Sequence, residues 1–425
     1  RLSSASARSR DLPPLTIRRV DAIPVALPLK AAMKMAGETI TAAQNILVRI
    51  EATDGTVGWG EAGSAPTMTG DTLGGLTAAV RDYLAPRLIG QDARQWNTLR
   101  PGLHRALLGN GGAHSAVEMA VLDMVGRASG TRLIDLVTKP RREAVKPMWL
   151  LGNKTAEEDV AEAHVRQKEG FEFFKLKIGV KPLAKEIAIA FAVREALPKT
   201  PLCADANCGL TLADARRYAE QTRKAKLMFV EQPLAYDDFE GLRKLTRATK
   251  VPIGVDEAIH SFADIVSSAK AGASGVSLKL IKLGGITAAV EAGKLCQKLG
   301  LSVNIAAKIA ESSISSAAAL HLACAFELKV PERRLCQMHR LLAQVNEKLL
   351  VGHFDLWNSE SAVMFRHAQL LCGGADPTSQ QVERMLVLAL DSCDRYFQAF
   401  QFVVWANKPA DEALADALFE TVGNA

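Results

Sequence analysis

Residues 171–179 read FEFFKLKIG, an apolar stretch that carries two lysines, Lys175 and Lys177. The run of aromatic and aliphatic residues predicts a short β-strand. Side chains two positions apart on a strand lie on the same face, so the two ammonium groups share one side. A lysine on a strand is usually a solvated edge residue. A buried pair would instead indicate a site that needs a base or a cation, because burial lowers the pKa of lysine.

The segments around this strand repeat one pattern of apolar strand followed by helix. The predicted strands are MWLLG (148–152), FFKLKIG (173–179), PLCADAN (201–207), LMFVEQP (227–233), VPIGVDE (251–257), GVSLKLIK (275–282) and LSVNIAA (301–307). Helix-capping pairs fall between them: Thr155 with Glu158, Thr211 with Asp214, and Ser261 with Asp264. Such serial β/α units predict a parallel sheet, and seven or more of them favour a barrel.

Residues 15–140 form a separate region, predicted to be an α+β capping domain. Strands are predicted over residues 16–29, 45–53 and 56–63, with a loop over residues 30–41 and a tight hairpin at Asp54-Gly55. A helix is predicted after residue 110, ending at Gly130. Its apolar stripe comprises Ala113, Ala116, Val117, Ala120, Val121, Met124 and Val125.

A charged residue stands at the carboxyl end of each of five successive predicted strands. These residues are 23 to 28 positions apart: Lys177, Asp205, Glu231, Asp256 and Lys279. Since eight β/α units make a barrel of about 250 residues, each interval is about one unit. In a barrel the strand ends converge on one mouth. Other polar residues accompany them there: Lys175, Asn207, Glu257 and Lys282.

Three carboxylates that meet in one place repel each other and must be neutralised or bind a cation. Hard oxygen ligands favour Mg²⁺, with Mn²⁺ as the other candidate. Asp205, Glu231 and Asp256 are therefore the candidate metal ligands. Lys177 and Lys279 come from strands on either side of them, so a substrate between the two would face one amine on each side.

Six ordered stretches resemble the enolase superfamily. They are FFKLKIG, CADANCG, FVEQP, GVDEAIHS, VSLKLIKLGG and IAESSISSAAALHLA. The chain is most similar to the muconate-lactonizing-enzyme subgroup of the mandelate racemase/muconate lactonizing enzyme family, over about residues 15–325. The resemblance implies an α/β fold in which an α+β capping domain precedes a (β/α)7β barrel.

The resemblance also implies a reaction and the residues that perform it. Asp205, Glu231 and Asp256 resemble Mg²⁺ ligands, and Lys177 and Lys279 resemble bases on opposite substrate faces. Lys175 resembles the neighbour that lowers the pKa of Lys177. The expected chemistry is removal of a proton α to a carboxylate to give a metal-stabilised enediolate. It suits a racemase, epimerase or cycloisomerase of an amino acid, dipeptide or muconate, or alternatively a dehydratase of a hydroxy acid or hydroxy amino acid.

Further residues are expected to contact the substrate. Asn207, Glu257 and Lys282 lie beside the strand-end charges. Glu311 matches a glutamate of the family, for which a structural hydrogen bond and a catalytic role are equally open. The stretch MKMAGETIT (33–41), with Met33 and Met35, resembles the family's substrate-selecting loop; the other interpretation is an ordinary hairpin connection.

The family pattern ends at Ala325. An eighth strand should follow, and FELKV (326–330) is a candidate for it that carries no recognised functional motif. Residues 326–425 are predicted to be an atypical, mostly helical region after a barrel domain at 145–325. A barrel without its eighth strand exposes two edges. A third hypothesis is therefore a catalytically impaired relative that acts as a binding or regulatory protein.

The composition of the 425-residue chain excludes several classes of protein. Its net charge of +6 is not clustered into a basic stripe with aromatic residues, which argues against nucleic acid as a partner. No apolar run approaches the ~18 residues of a membrane span. Seven cysteines at irregular spacing favour a reducing, cytoplasmic compartment. Residues 1–14 are predicted to be a disordered leader, and the other interpretation is a targeting remnant. We expect a homo-oligomer that acts on a small carboxylate.

Overall fold

The computed structural model describes residues 13–35, 38–142, 144–151, 154–326, 334–357, 362–367, 378–404 and 408–418. The chain divides into two compact units. The first contains residues 1–296 and 303–327, and the second contains residues 297–302 and 328–425. The predicted leader lies outside the described residues, except for Pro13 and Pro14.

The first unit begins with a three-stranded antiparallel sheet, in the order β1 (Ile17–Met35), β2 (Glu38–Ala52) and β3 (Val57–Gly63). The predicted tight turn joins β2 to β3, with Gly55 at a φ of 88°. The prediction of a loop over residues 30–41 is wrong for most of these residues, because β1 reaches Met35 and β2 begins at Glu38. Met33 pairs with Ile40 and Met35 with Glu38, so the hairpin is longer than expected. Strand pairing there satisfies backbone groups that a loop would leave to water.

Helices follow this sheet and complete the capping domain. They are α1 (Leu73–Ala78), a π-helical segment (Ala79–Leu84), α2 (Ala85–Leu88), a 3₁₀ segment (Ala93–Gln95), α3 (Trp96–Ala106), α4 (Gly111–Ser129) and α5 (Leu133–Val137). Helix α4 is the predicted amphipathic helix and ends at Gly130. It packs directly on β3, since a Cβ at Gly60 would lie 1.8 Å from the Ala116 carbonyl oxygen. A glycine is therefore required there for the close approach.

A seven-stranded parallel α/β sheet follows in the same unit. Its strands are β4 (Trp149–Leu151), β5 (Phe174–Lys177), β6 (Leu202–Asp205), β7 (Val230–Glu231), β8 (Ile253–Val255), β9 (Gly275–Leu278) and β10 (Ser302–Ile305). All seven predicted strands are present, in sequential order across the sheet. The pairs from β4 to β9 are parallel. Among the described residues no eighth strand joins either edge, and residues 327–330 of the FELKV stretch lie outside them.

Helices alternate with these strands, as the serial pattern predicts. They are α6 (Ala156–Lys168), α7 (Leu183–Ala196), α8 (Leu212–Gln221), a 3₁₀ segment (Thr222–Ala225), α9 (Phe239–Ala248), α10 (Phe262–Lys270), α11 (Leu280–Leu283), α12 (Ile286–Lys298) and α13 (Ser313–Cys324). The predicted caps are present, and Thr155 with Glu158 forms a complete capping box. Residues of α11, α12 and α13 share one hydrophobic core with the capping domain, which holds that domain against the sheet.

In its described residues, the second unit contains three helices and a hairpin. That residues 326–425 as a whole are mostly helical stays a prediction. The elements are α14 (Leu335–Asn346), β11 (His353–Trp357), β12 (Ala362–Arg366), α15 (Ser379–Val404) and α16 (Ala410–Leu418). Phe354 is central to the unit, because its ring centroid lies 5.0 Å from that of Phe400 and 5.2 Å from that of Phe365. In the described parts of the chain, no helix is both long and apolar enough to span a bilayer.

Candidate active site

Three carboxylates lie at the carboxyl ends of adjacent strands. Asp205 ends β6, and its Cα lies opposite that of Glu231, which ends β7. Asp256 directly follows β8. Each of these residues is at most 3% exposed. Parallel strands in sequential order bring their carboxyl ends to one edge of the sheet, which is where such sheets hold their ligands.

Two lysines of β5 reach two of these carboxylates. Lys175 Nζ lies 2.5 Å from Glu231 Oε2 and 3.9 Å from Asp205 Oδ2. Lys177 Nζ lies 2.5 Å from Asp205 Oδ2 and also donates to Asn207 Oδ1. Only about a tenth of each lysine side chain is exposed. The lysine pair of the FEFFKLKIG strand is therefore an interior pair, and not a solvated edge.

Two more lysines, Lys279 directly after β9 and Lys282 on α11, reach the third carboxylate. Lys279 Nζ lies 2.5 Å from Asp256 Oδ2, and Lys282 Nζ lies 2.6 Å from Asp256 Oδ1. Lys282 also donates to the carbonyl oxygens of Asp256 and Ser277. Its side chain is fully buried. The expected contact of Lys282 with substrate stays a prediction, since its ammonium group is already bonded inside the protein.

Four groups of this cluster are held in the ionised form by their partners: Asp205, Asp256, Lys175 and Lys279. Burial raises the pKa of Asp205 and of Asp256, but the neighbouring lysines bring both below the usual range. Burial lowers the pKa of Lys175 and of Lys279, but the carboxylates beside them raise both above the usual range. Glu231 differs, because burial keeps its pKa raised despite Lys175.

Asn207, two positions after Asp205, and Glu257, next to Asp256, belong to the same cluster. Asn207 has a left-handed φ of 41°, and its Nδ2 donates to Glu257 Oε1 over 2.7 Å. Burial, together with the charge of Asp256, raises the pKa of Glu257 to about 7. Glu257 Oε2 is buried and has no hydrogen-bond partner among the described residues. A buried acceptor of this kind is costly, so this oxygen is a candidate contact for a bound group.

Two family models match the chain. The model of the N-terminal domain of mandelate racemase / muconate lactonizing enzyme matches residues 17–138, and the enolase C-terminal domain-like model matches residues 158–357. The chain belongs to the mandelate racemase/muconate lactonizing enzyme family of the enolase superfamily. The second match extends beyond residue 325, where the motifs recognised in the sequence end.

Several proteins that this chain is similar to are isomerases by name. The chain is 30% identical to the L-Ala-D/L-Glu epimerase of Bacillus subtilis (strain 168), over 73% of this chain and 85% of that protein. It is 32% identical to muconate cycloisomerase 1-2 of Acinetobacter lwoffii, over 65% of this chain and 73% of that protein. Among solved structures, a dipeptide epimerase from Enterococcus faecalis V583, complexed with Mg and the dipeptide L-Leu-L-Tyr, matches with a TM-score of 0.69. That match has 27% identity and covers 73% of this chain and 88% of the other.

The remaining predicted residues of this family member are Glu311, Met33 and Met35. Glu311 lies in the segment between β10 and α13, is partly exposed, and has a pKa raised by burial to about 7. The opposing charge of Lys279 lowers that pKa, so the two groups interact electrostatically. Met33 and Met35 belong to the distal part of β1, and the positions of their side chains lie outside the described structure.

Sequence reasoning missed four residues that the family fold brings to the site. Ser277 Oγ donates to Glu231 Oε1 over 2.8 Å, and Asn304 Nδ2 donates to Ser277 Oγ over 2.9 Å. Gln232 Oε1 accepts from the backbone of Asp256 over 2.9 Å. Ser277 was detectable, because it lies two positions before Lys279. Asn304 and Gln232 had no spacing signal of their own.

The fourth missed residue comes from the capping domain. Met68 Sδ lies 3.8 Å from Lys279 Nζ, and the Met68 carbonyl oxygen lies 2.7 Å from His260 Nε2. Met68 is 211 positions from Lys279 in the sequence, so no local pattern could have predicted the contact. The capping domain thus covers part of the strand ends.

The donor set of this family member fits a hard divalent cation. Asp205, Glu231 and Asp256 offer carboxylate oxygens, the ligands that Mg²⁺ and Mn²⁺ prefer. In the described arrangement, lysine ammonium groups provide the counter-charge. No three acidic, histidine or cysteine side chains among the described residues are gathered closely enough to enclose an ion. The oxygens of these carboxylates are bonded to lysine ammonium groups instead.

Proposed function

We propose that this family member is a Mg²⁺-dependent racemase, epimerase or cycloisomerase that removes a proton from the carbon α to a carboxylate. One observation supports this most strongly. Lys177 and Lys279, each less than a tenth exposed in the side chain, lie 2.5 Å from different carboxylates. Strands β6, β7 and β8 stand between the strand of Lys177 and that of Lys279. A substrate above the three carboxylates would have one amine on each face.

Each lysine would carry a proton at Nζ for one face of the substrate. In a 1,1-proton transfer, one amine takes the α-proton and the other ammonium group returns a proton to the opposite face. Asp256 contributes most to the raised pKa of Lys279, ahead of Glu257 and Glu231, so loss of its short bond to Lys279 would shift that pKa downward. Burial acts in the same downward direction and would favour the neutral amine that a base requires.

Asp205, Glu231 and Asp256 would hold Mg²⁺, or Mn²⁺ in its place. When bound, the ion supplies positive charge that stabilises negative charge on the substrate carboxylate. Glu311, with a pKa of about 7, is partly protonated near neutral pH and would donate a hydrogen bond to that carboxylate. Asn207 and Glu257 would orient the same part of the substrate.

Relatives that act on dipeptides and muconates support a small carboxylate as the substrate. The proposal includes a cytoplasmic location, supported by seven irregularly spaced cysteines that suit a reducing compartment. It also includes homo-oligomeric assembly, which light scattering on the purified protein would test.

Proton exchange in D₂O tests the proposed reaction. The protein is incubated with Mg²⁺ and with dipeptides, N-acylamino acids, proline derivatives or muconates, and NMR follows deuterium at the α-carbon. We expect at least one class to exchange faster than it does with a Lys177→Ala/Lys279→Ala variant. Equal rates with both proteins for every class would contradict the proposal. A folded protein with no exchange would favour the impaired, binding or regulatory relative.

A further inference from the structure

Two polar side chains of the capping sheet are buried at its contact with the segment that carries Glu311. Asn45 lies on β2 and Glu61 on β3, and neither residue is exposed. Asn45 Nδ2 donates to Glu61 Oε1 over 2.6 Å. A Cβ at Gly63 would lie 3.2 Å from Lys308 Cδ, so this edge of the capping sheet directly touches the segment.

The Glu61 carboxylate binds the amino terminus of helix α13. The backbone N–H of Ser312 donates to both of its oxygens, over 3.0 and 3.1 Å. Ser312 Oγ donates over 2.7 Å, and the backbone N–H of Ser315 donates over 3.1 Å. Glu61 thus satisfies backbone groups that the first turn of a helix leaves unpaired, and its negative charge suits that end of the helix.

Asn45 holds the other side of the same short segment. Its Nδ2 donates to the Ala310 carbonyl oxygen over 2.9 Å. Ala310 has a φ of 71°, a left-handed conformation that is strained for a residue other than glycine. Glu311 therefore sits between two residues whose backbones are tied to the capping domain, Ala310 through Asn45 and Ser312 through Glu61. The backbone position of Glu311 is determined from outside its own segment.

We propose that Glu61 and Asn45 are positioning residues that set the place of the Glu311 carboxyl group relative to Lys279. The inference rests on the proposed function, in which Glu311 contacts the substrate carboxylate. Neither Glu61 nor Asn45 would touch substrate. Their effect follows from geometry, because a displacement of about 1 Å in a catalytic group costs up to ~100-fold in rate.

Glu118 offers a matched control for Glu61. It is also a buried glutamate of the capping domain, and it also accepts hydrogen bonds at the start of a helix, α12, that packs beside the parallel sheet. Thr287 Oγ1 donates to Glu118 Oε1 over 2.5 Å, and the Thr287 backbone N–H donates over 3.3 Å. Trp96 Nε1 donates over 2.9 Å. Thr287 adjoins no proposed catalytic residue, so loss of the Glu118 carboxylate should affect stability alone.

The test compares Glu61→Gln, Asn45→Ala and Glu118→Gln with the wild type. Hydrogen–deuterium exchange of the Mg²⁺-loaded protein without substrate is measured first. In Glu61→Gln, the amides of Ser312 and Ser315 should exchange at least ~10-fold faster, the equivalent of one lost hydrogen bond. Glu118→Gln should leave these amides unchanged. Unaltered protection of both amides in Glu61→Gln would overturn the inference.

Kinetics on the substrate found by the D₂O screen form the second arm. Glu61→Gln and Asn45→Ala should lower kcat by ~10- to 100-fold with KM within about threefold of wild type. Glu118→Gln should keep kcat within about twofold of wild type, even if its Tm falls by as much as that of Glu61→Gln. Equal losses of kcat in Glu61→Gln and Glu118→Gln would reduce Glu61 to a structural role and overturn the inference. If the wild type shows no exchange with any substrate, the proposed function fails, and amide exchange alone decides whether Glu61 and Asn45 hold the segment.

Discussion

The two units of the chain bury different kinds of side chain. In the first unit, lysines and carboxylates are buried together at the strand ends. In the described part of the second unit, no charged residue is buried to that degree. The core there is apolar and includes an aromatic cluster around Phe354, Tyr396 and Phe400. Burying charge is costly, and replacing such pairs by apolar residues is often neutral or stabilising. The charges of the first unit are therefore explained better by chemistry than by stability.

The largest expected effect is the loss of turnover when the site lysines of the first unit are substituted. Lys177→Ala and Lys279→Ala should each reduce turnover by at least ~10²–10⁴, the usual contribution of a general acid or base. If the reaction is a 1,1-proton transfer, each variant should lose α-proton exchange from one isomer and keep some with the other. NMR of deuterium incorporation from each enantiomer, at saturating Mg²⁺, measures this.

Lys185→Ala is the control for these variants, because Lys185 is exposed on α7. In a cycloisomerisation only one of the two site lysines would be the base, and only its variant would lose exchange altogether. Wild-type exchange of both isomers in both site variants would make these lysines structural, and would remove the chemical contrast between the two units.

The next largest effect is on stability and metal affinity, when Asp256, the carboxylate bonded to two lysines, is substituted. Asp256→Asn leaves the buried ammonium groups of Lys279 and Lys282 without their anion, which should cost about 3–5 kcal/mol of unfolding free energy. It should also weaken Mg²⁺ or Mn²⁺ binding in equilibrium dialysis. Glu220→Gln, an exposed change on α8, should alter neither quantity. Metal affinity equal to wild type in Asp256→Asn would place the metal site elsewhere.

A third change tests the aromatic cluster in the core of the second unit. Phe354→Ala removes a ring that is only 3% exposed and should destabilise this unit by roughly 3–5 kcal/mol. Limited proteolysis should then cut residues 334–418 faster, while residues 154–326 keep their protection. Phe397→Ala, the same change at a residue that is 44% exposed on α15, should have little effect. Equal loss of protection in both regions would show that the two units do not unfold separately.

The smallest effect is a pH dependence within the first unit. Burial, with the charges of His114 and Arg100 nearby, lowers the pKa of His104 to about 4. An unfolded histidine binds its proton near pH 6.5, so the unfolded chain binds more protons between pH 6.5 and 4. Stability should therefore fall as the pH falls through this range and be unaffected by His104 above it. Because His104 is only half-buried, the decrease in Tm should be about one or two degrees.

Thermal unfolding between pH 7.5 and 4.5 measures this slope. His104→Gln should flatten it, whereas His164→Gln, at an exposed position on α6, should leave it as in wild type. A slope that is the same in all three proteins would assign the pH dependence to other groups.

The sequence alone determined the order of the strands and the charged residues at their ends. Short, largely apolar stretches followed by Lys177, Asp205, Glu231, Asp256 and Lys279 are local features. One β/α unit between successive members is enough to predict a common edge. The helix starts were also local, since a serine or threonine and an acidic residue three positions later are neighbours in any helix. The hairpin around residues 30–41 was missed, because strand pairing there depends on a partner and not on composition.

Only the tertiary structure decided which groups meet. Lys177 bonds to Asp205, while Lys175 bonds to Glu231. This pairing depends on the relative positions of β5, β6 and β7. Met68 reaches Lys279, and Glu61 reaches Ser312 across 251 positions of sequence. Contacts of this length leave no periodic trace, because each depends on the packing of the capping domain against the sheet. The reason is physical: spacing along the chain determines an element and its face, whereas the partner of a buried polar group is determined by what is folded against it.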